Sequence, residues 1–466
     1  MKKIIFVLMC IVVMLLNTVA FADDIYIEDE SFSLPEVKAE SAILMDMKTG
    51  RVIYSKNPHE RRYPASTTKI MTAILALELG NMSDVVTADV ASLAPITNED
   101  SHMGILIGEE LTMEQLINGM MVYSANDASN VIATHIAGSS EHFVDLMNKK
   151  AQDLGTTDTN FVNTYGIHDE NHYTTASDLA VITRYAMENQ TFRDIVKQKT
   201  YAIPATNKYT TDRLLTSTNL FVGTARSGKY YYSAVTGVKT GHTSDAGYCL
   251  VSTAEKNGTE LLCIVMKCDN QDACYTTSRG LIDYGFKNYE YRTVVAAGDV
   301  VSDSKVIEAK NDERVGLTVD SDVAALLPSE GELSEIVEVV IDLPEKIKAP
   351  IKKGDVIGKV SYNYKGNLLE YRDLIATNDV ERNILLFIFN LVVGVLTSPF
   401  FLIPAILIVA ALIIRAINIK KHERQKRLRR LHSRQSQSQT RTGTKRPVNT
   451  RFEDKTRRRP PGNRRK

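Results

Sequence analysis

Asn383–Ile414 runs for thirty-two residues without one charged side chain. Roughly 20 apolar residues suffice to cross a bilayer. Inside lipid a single segment has only the helix open to it, because every backbone N–H and C=O must be satisfied within the segment. Pro399 and Pro404 fall inside the run and predict a kink or a shorter span. The chain behind it is opposite in kind. Residues 415–466 hold 20 Lys and Arg against 3 Asp and Glu, with much Gln, Ser and Thr. That composition predicts a disordered tail, and its charge predicts the cytoplasmic side. Anionic lipid headgroups are its simplest partner, and no specific nucleic acid is predicted.

The other terminus agrees with this orientation. Lys2-Lys3, the apolar run Ile4–Leu16 and the small-x-small Ala20-Phe21-Ala22 make a secretory signal peptide over residues 1–22. The body is therefore expected outside and the tail inside. The formal net charge of zero conceals this division, because 36 basic residues face 53 acidic ones ahead of Arg415. After loss of Cys10 the chain keeps Cys249, Cys263, Cys268 and Cys274. The first two sit in apolar, strand-like runs and read as core. Cys268 and Cys274 flank a polar turn and either stay as thiols or pair as a disulfide. No Cys/His constellation has metal-ligand spacing.

Chemistry enters with Pro64-Ala65-Ser66-Thr67-Thr68-Lys69, followed by the apolar run Ile70–Leu77. A helix there puts Ser66 and Lys69 on one face. A serine hydroxyl is a poor nucleophile until a base takes its proton, and a desolvated lysine can take it. Alone, S-x-x-K is common, and Ser66 reads equally well as a helix cap. Ser124-Ala125-Asn126 falls on a short loop between two helical patterns, where Ser and Asn are ordinary turn residues. Lys239-Thr240-Gly241-His242 lies between strand-like runs, Tyr230–Val235 and Ala246–Thr253. Its lysine and hydroxyl suit a carboxylate, and its glycine permits close approach. The same triplet at Lys48-Thr49-Gly50 reads as a hairpin turn, so K-T-G alone decides little. Ser177 is a possible cap for a helix restarting near Thr174, and His168 and His172 read as loop residues. Val294 to about Thr377 carries short β-branched runs separated by turns and predicts a small all-β domain.

S-x-x-K, S-x-N and K-T-G in that order are the constellation of penicillin-binding proteins and serine β-lactamases. The surrounding words at residues 64–72, 172–180 and 239–243 resemble the low-molecular-mass penicillin-binding proteins, the serine-type D-alanyl-D-alanine carboxypeptidases. The resemblance covers roughly Ala39–Tyr289. It implies an α/β (α+β) β-lactamase-like domain over 35–290, an antiparallel sheet flanked by helices. A small β-rich domain over 292–377, a transmembrane segment over 383–414 and the tail over 415–466 would follow.

On that resemblance, Ser66 would attack the carbonyl between two terminal D-alanines of a peptidoglycan stem peptide, and Lys69 would be the general base. Ser124 would relay a proton to the departing D-alanine, and Asn126 would hold Lys69 and the substrate amide. Lys239 and Thr240 would meet the terminal carboxylate, beside Gly241. The backbone N–H groups of Ser66 and His242 would form the oxyanion hole. β-Lactam antibiotics would trap Ser66 as an ester. No cofactor is implied. Family members often carry an arginine soon after the strand that follows K-T-G, yet Lys267–Ser278 has none and Arg279 comes late. The family also commonly ends in an amphipathic helix lying on the membrane, where this chain has a long apolar run. Rival expectations are a D,D-endopeptidase or transpeptidase acting on crosslinks, and a silent penicillin-binding sensory protein. A β-lactamase is disfavoured, because Glu170 is the one glutamate in the loop 163–173 and stands in a carboxypeptidase-like context.

Overall fold

The structure, a computed structural model, describes residues 32–439 except 98 and 225, with side chains described to Leu431. The expected signal peptide and residues 440–466 of the basic tail lie outside the described residues. By its internal contacts the chain forms two units. One comprises the residues up to Lys305 with Arg314–Ile347 and Ile351–Asp379. The other comprises Val306–Glu313, Lys348–Pro350 and the chain from Val380.

The first unit is built on a five-stranded antiparallel sheet. We label its elements β1 (Ala39–Asp46), β2 (Val52–Lys56), β3 (Val235–Thr243), β4 (Gly247–Lys256) and β5 (Thr259–Cys268). Their order is β2-β1-β5-β4-β3, which leaves β3, carrying Lys239-Thr240-Gly241, on an edge. Both faces are covered, so the strands read as near-continuous apolar runs that period two sorts into two cores. Ile43, Met45, Val251, Leu262, Ile264 and Met266 join one cluster. Their neighbours Leu44, Leu250, Leu261, Cys263 and Val265 join the other, with Leu281 and Ile282.

On the first face lie helices α1 (Lys69–Leu79), α2 (Met113–Val122), α3 (Asn126–Ala137) and α4 (Ala176–Glu188). Lys69–Ala76 is buried throughout, Lys69 and Thr72 together with the apolar residues. On the second face lies α5 (Gln271–Asn288). Thr175, not Ser177, caps α4, accepting from Asp178 N at 3.0 Å. Of the run Tyr230–Val235 only Val235, the first residue of β3, is in a strand. Its Tyr230 and Tyr232 hydroxyls donate instead to Asp272 and Asp283 on α5.

The β-rich segment has the expected character. Strands Val337–Asp342, Val356–Tyr364, Asn367–Ala376, Arg314–Thr318 and Val300–Ile307 pair antiparallel in that order. The four cysteines among the described residues are free and buried, so the pairing of Cys268 with Cys274 that the sequence left open is not made.

Within the second unit the chain stays engaged beyond the expected boundary at 377. Val380 is buried, Asn383 N donates to Glu308 O at 2.7 Å, and Arg382 Nε donates to Ala349 O at 2.6 Å. The expected single span is divided into Ile384–Thr397 and Pro399–Gln439. The break falls at Ser398, extended with ψ 147°, because proline disfavours a helical residue before it and itself suits the first helical position. The first piece is about 21 Å long at ~1.5 Å per residue, short of a ~30 Å hydrocarbon core. Among the described residues one helix, over Pro399–Leu431, is long and apolar enough to cross a membrane.

The tail also departs from expectation, because the helix continues to Gln439 where disorder was predicted from 415. Lys, Arg, Gln and Leu are good helix formers, no Gly or Pro interrupts 405–442, and elongating an existing helix needs no new nucleus. A fragment ending at Asn383 is expected to stay soluble without detergent, while one ending at Thr377 loses the Val380–Asn383 contacts and precipitates. Sedimentation of both from detergent-free lysate checks this.

Candidate active site

Ser66 lies in a 3-10 turn, Ala65–Thr68, and α1 begins only at Lys69, so nucleophile and lysine straddle a junction rather than share one helix. The turn is held from two sides by glycines. A Cβ on Gly241 would stand 2.9 Å from Pro64 O and 3.1 Å from Ser66 N, and one on Gly166 would stand 1.8 Å from Ala65 O. Between them Ala65 takes φ +47°, a conformation that costs an alanine about 1 kcal/mol or more. The strain therefore sits on the residue that aims the serine.

Lys69 is fully buried. Its Nζ lies 2.9 Å from Ser66 Oγ, 2.7 Å from Asn126 Oδ1 and 2.9 Å from Tyr165 O. Two of these partners can only accept. A neutral amine therefore gives both its N–H groups to Asn126 and Tyr165, and its lone pair is left facing the Ser66 hydroxyl. Asn126 is fixed in that sense because its Nδ2 donates to Asp100 Oδ1 at 3.2 Å. Burial first, and then the neighbouring Lys239, hold the Lys69 ammonium well below its usual range against the opposing pull of Asp127 and Asp100.

Ser124 sits between α2 and α3 with φ +70°, which turns its hydroxyl into the same space. Lys239 Nζ donates to Ser124 Oγ at 3.0 Å and to Thr240 O at 3.1 Å. Burial pushes the Lys239 ammonium down to about 7. The Thr240 hydroxyl is 2.8 Å from that of Thr218. Ser66, Ser124, Thr240, Gly241 and His242 line one cavity of about 240 Å³, and the His242 ring stacks on Tyr248 at 4.1 Å. The eight predicted site residues are thus brought to one place. The other triplet, Lys48-Thr49-Gly50, is not among them. Asp46 accepts from the backbone N–H groups of Lys48 and Thr49, as in a plain turn.

Sequence reasoning missed His172. It is buried, and its Nδ1 accepts from Val162 N at 3.1 Å. That fixes the proton on Nε2, which donates to Thr68 Oγ1 at 2.8 Å. The ring thus ties the loop 161–172 to the serine turn. The only sequence signal was its place in a word shared with the carboxypeptidases. Burial pushes its pKa down to about 4. A base held neutral in the fold adds stability that is complete above the unfolded value near 6.5 and is lost as pH falls towards 4. The full span corresponds to about 3 kcal/mol. His172→Gln is expected to flatten the acid limb of stability between pH 6.5 and 4, as measured by urea unfolding; an unchanged limb would assign the acid sensitivity to other groups.

Asp127 was missed too. Its carboxylate accepts from Met103 N at 3.2 Å and Ile105 N at 2.9 Å, fixing the segment that leads from Asp100 along the cavity.

Comparison with known proteins agrees with this geometry. The family model for D-alanyl-D-alanine carboxypeptidases matches residues 28–270, and that for the C-terminal domain of penicillin-binding protein 5 matches residues 289–382. The chain is 32% identical over 365 residues to the D-alanyl-D-alanine carboxypeptidase DacA of Haemophilus influenzae, covering 76% of this chain and 88% of that one. It is 30% identical over 354 residues to DacF of Bacillus subtilis, covering 74% and 86%. The crystal structure of penicillin-binding protein 5 from Haemophilus influenzae superposes with a TM-score of 0.59 at 29% identity, covering 75% of this chain and all of that one.

Proposed function

This chain belongs to the D-alanyl-D-alanine carboxypeptidase family, and on that premise we propose that Ser66, Lys69, Ser124 and Asn126 carry out its reaction while Lys239, Thr240, Gly241 and His242 bind the substrate. The activity is removal of the terminal D-alanine from a peptidoglycan stem peptide through a serine acyl-enzyme. The observation that carries the assignment is the pair of short contacts at Lys69, to Ser66 Oγ and to Asn126 Oδ1.

Neutral Lys69 takes the Ser66 proton as Oγ attacks the carbonyl carbon. Negative charge gathers on the carbonyl oxygen, and the backbone N–H groups of Ser66 and His242 stabilise it. Close approach of the two backbones depends on the missing side chain at Gly241. The carbon–nitrogen bond then breaks. Ser124 hands its proton to the departing D-alanine and is resupplied by Lys239, which already donates to it. Water then adds to the ester carbonyl, its proton returning to Lys239 by way of Ser124, and the ester C–O bond breaks as Lys69 hands its proton back to Ser66 Oγ. A β-lactam follows the same path to the ester and stays there.

The family's relatives act in the cell wall, and the apolar helix after Pro399 suits a membrane anchor. We assign the catalytic body to the outer face and the basic extension to the cytoplasm. Protease added to intact cells should spare a tag on the C-terminus; its digestion would reverse the orientation.

For the site itself, the full chain in detergent should release D-alanine from a pentapeptide ending in D-Ala-D-Ala and take a fluorescent penicillin label. Both should vanish in Ser66→Ala. Labelling that survives in the variant would remove Ser66 from the role of nucleophile.

A further inference from the structure

The far end of the cavity is where this chain departs from its family's pattern. No arginine or lysine is among the described residues lining it. Arg279, the first arginine after β5, is engaged elsewhere. Its Nη1 donates to Lys229 O at 3.2 Å, its Nη2 donates to Tyr231 O at 2.8 Å, and its guanidinium lies 4.7 Å from the Tyr232 ring centre. Arg213, which precedes β3, is paired with the buried Glu109.

What lines that end instead is neutral: Thr218, Gln271, Cys274 and Tyr275. The hydroxyls of Thr218 and Thr240 stand 2.8 Å apart. One O–H suffices to link the pair, so the second is available to a ligand. Thr218 is held in place through Tyr275, whose hydroxyl accepts from Leu220 N at 3.0 Å and donates to Thr218 O at 3.5 Å. Gln271 opens α5 and brings a side-chain amide to the same wall. An anionic group placed here meets two hydroxyls and an amide, with the Lys239 ammonium behind Thr240.

We propose that the substrate's terminal carboxylate is seated by the Thr218 and Thr240 hydroxyls together with the Gln271 side-chain amide, in place of a guanidinium. This rests on the reading of the site as a D-Ala-D-Ala carboxypeptidase and adds Thr218 and Gln271 to the residues that touch substrate. Single donors to a carboxylate lack the two parallel bonds of an arginine fork. Recognition is therefore spread over several weaker contacts, and each should be separable by substitution.

The test uses the full chain in detergent. Release of the terminal residue is measured from a pentapeptide ending in D-Ala-D-Ala and from the same peptide with its C-terminus amidated. Thr218→Val and Gln271→Leu should each raise KM for the acid about tenfold, the usual size for one hydrogen bond to a charged group. Their kcat and their handling of the amide should change little, and Thr218→Ser should restore the acid. The double variant should lose most of the preference for acid over amide. Arg279→Met should change neither substrate. Circular dichroism and thermal melting of each variant confirm that it is folded. A preference that survives in the double variant, or that collapses in Arg279→Met, overturns the proposal while leaving the carboxypeptidase reading intact. A wild-type chain that releases nothing from either peptide overturns the reading and the proposal together.

Discussion

Lys69→Met should slow acylation by penicillin at neutral pH by about a thousandfold, within the range of ~10²–10⁴ for loss of a positioned base. The same variant should stay folded. Methionine fills the space of the lysine stem, and the cost of leaving Asn126 Oδ1 and Tyr165 O without a donor is offset by not burying an amine. The informative reading is the pH profile. In the wild type the acylation rate should rise with pH as Lys69 loses its proton, and burial with the neighbouring Lys239 moves that limb well below the ordinary lysine range. Lys239, pushed down to about 7, sets an opposing limb, because its deprotonation removes the charge beside Ser124 and Thr240. The two ammonium groups influence each other, so the limbs belong to the pair. In Lys69→Met the acid limb should disappear and the alkaline limb should remain. Stopped-flow acylation from pH 5 to 9 decides it. A variant that keeps the acid limb would mean that another group takes the serine proton.

The reach of the sequence can be judged residue by residue. The three motifs were legible because catalysis needs particular atoms, and only a few residue types carry them. Their order narrowed the reading further, since K-T-G also occurs at Lys48, where Asp46 makes it a turn. The strands of the central sheet were legible as apolar runs because both of their faces are covered. What the sequence hid was each feature that depends on a distant partner. Nothing local says that His172 meets Thr68, 104 positions away. Tyr230–Val235 looks like a strand until α5 supplies acceptors for its hydroxyls. The tail's composition predicted disorder, yet residues 415–439 continue a helix already begun in the apolar run. The two open states of Cys268 and Cys274 had the same source, because spacing does not fix how two thiols are oriented.

Gly166→Ala should be among the most damaging single methyls that could be added to the described residues. An ideal Cβ there would stand 1.8 Å from Ala65 O, 2.3 Å from its carbonyl carbon and 2.9 Å from Thr68 Oγ1. Two of these are backbone atoms, so no rotamer change relieves the contact. Gly166 also has φ +93°, which a residue with a side chain rarely adopts. Backbone strain of ~1–3 kcal/mol and overpacking of ~1–3 kcal/mol together give about 4 kcal/mol. For a domain of this size that lowers Tm by roughly 10 °C. The backbone that must move belongs to Ala65, so Ser66 moves with it, and so does the loop carrying Tyr165 O, a partner of Lys69. Acylation should therefore fall about a hundredfold even at temperatures where the variant is folded, since a misplacement of ~1 Å costs on that order. Gly258→Ala is the matched control. It has φ +79° in the turn between β4 and β5, but nothing lies within 4 Å of its Cβ. Strain alone should lower its Tm by about 3 °C and leave acylation unchanged. Equal effects of the two substitutions would show that the close packing at Ala65 is not what aims the serine.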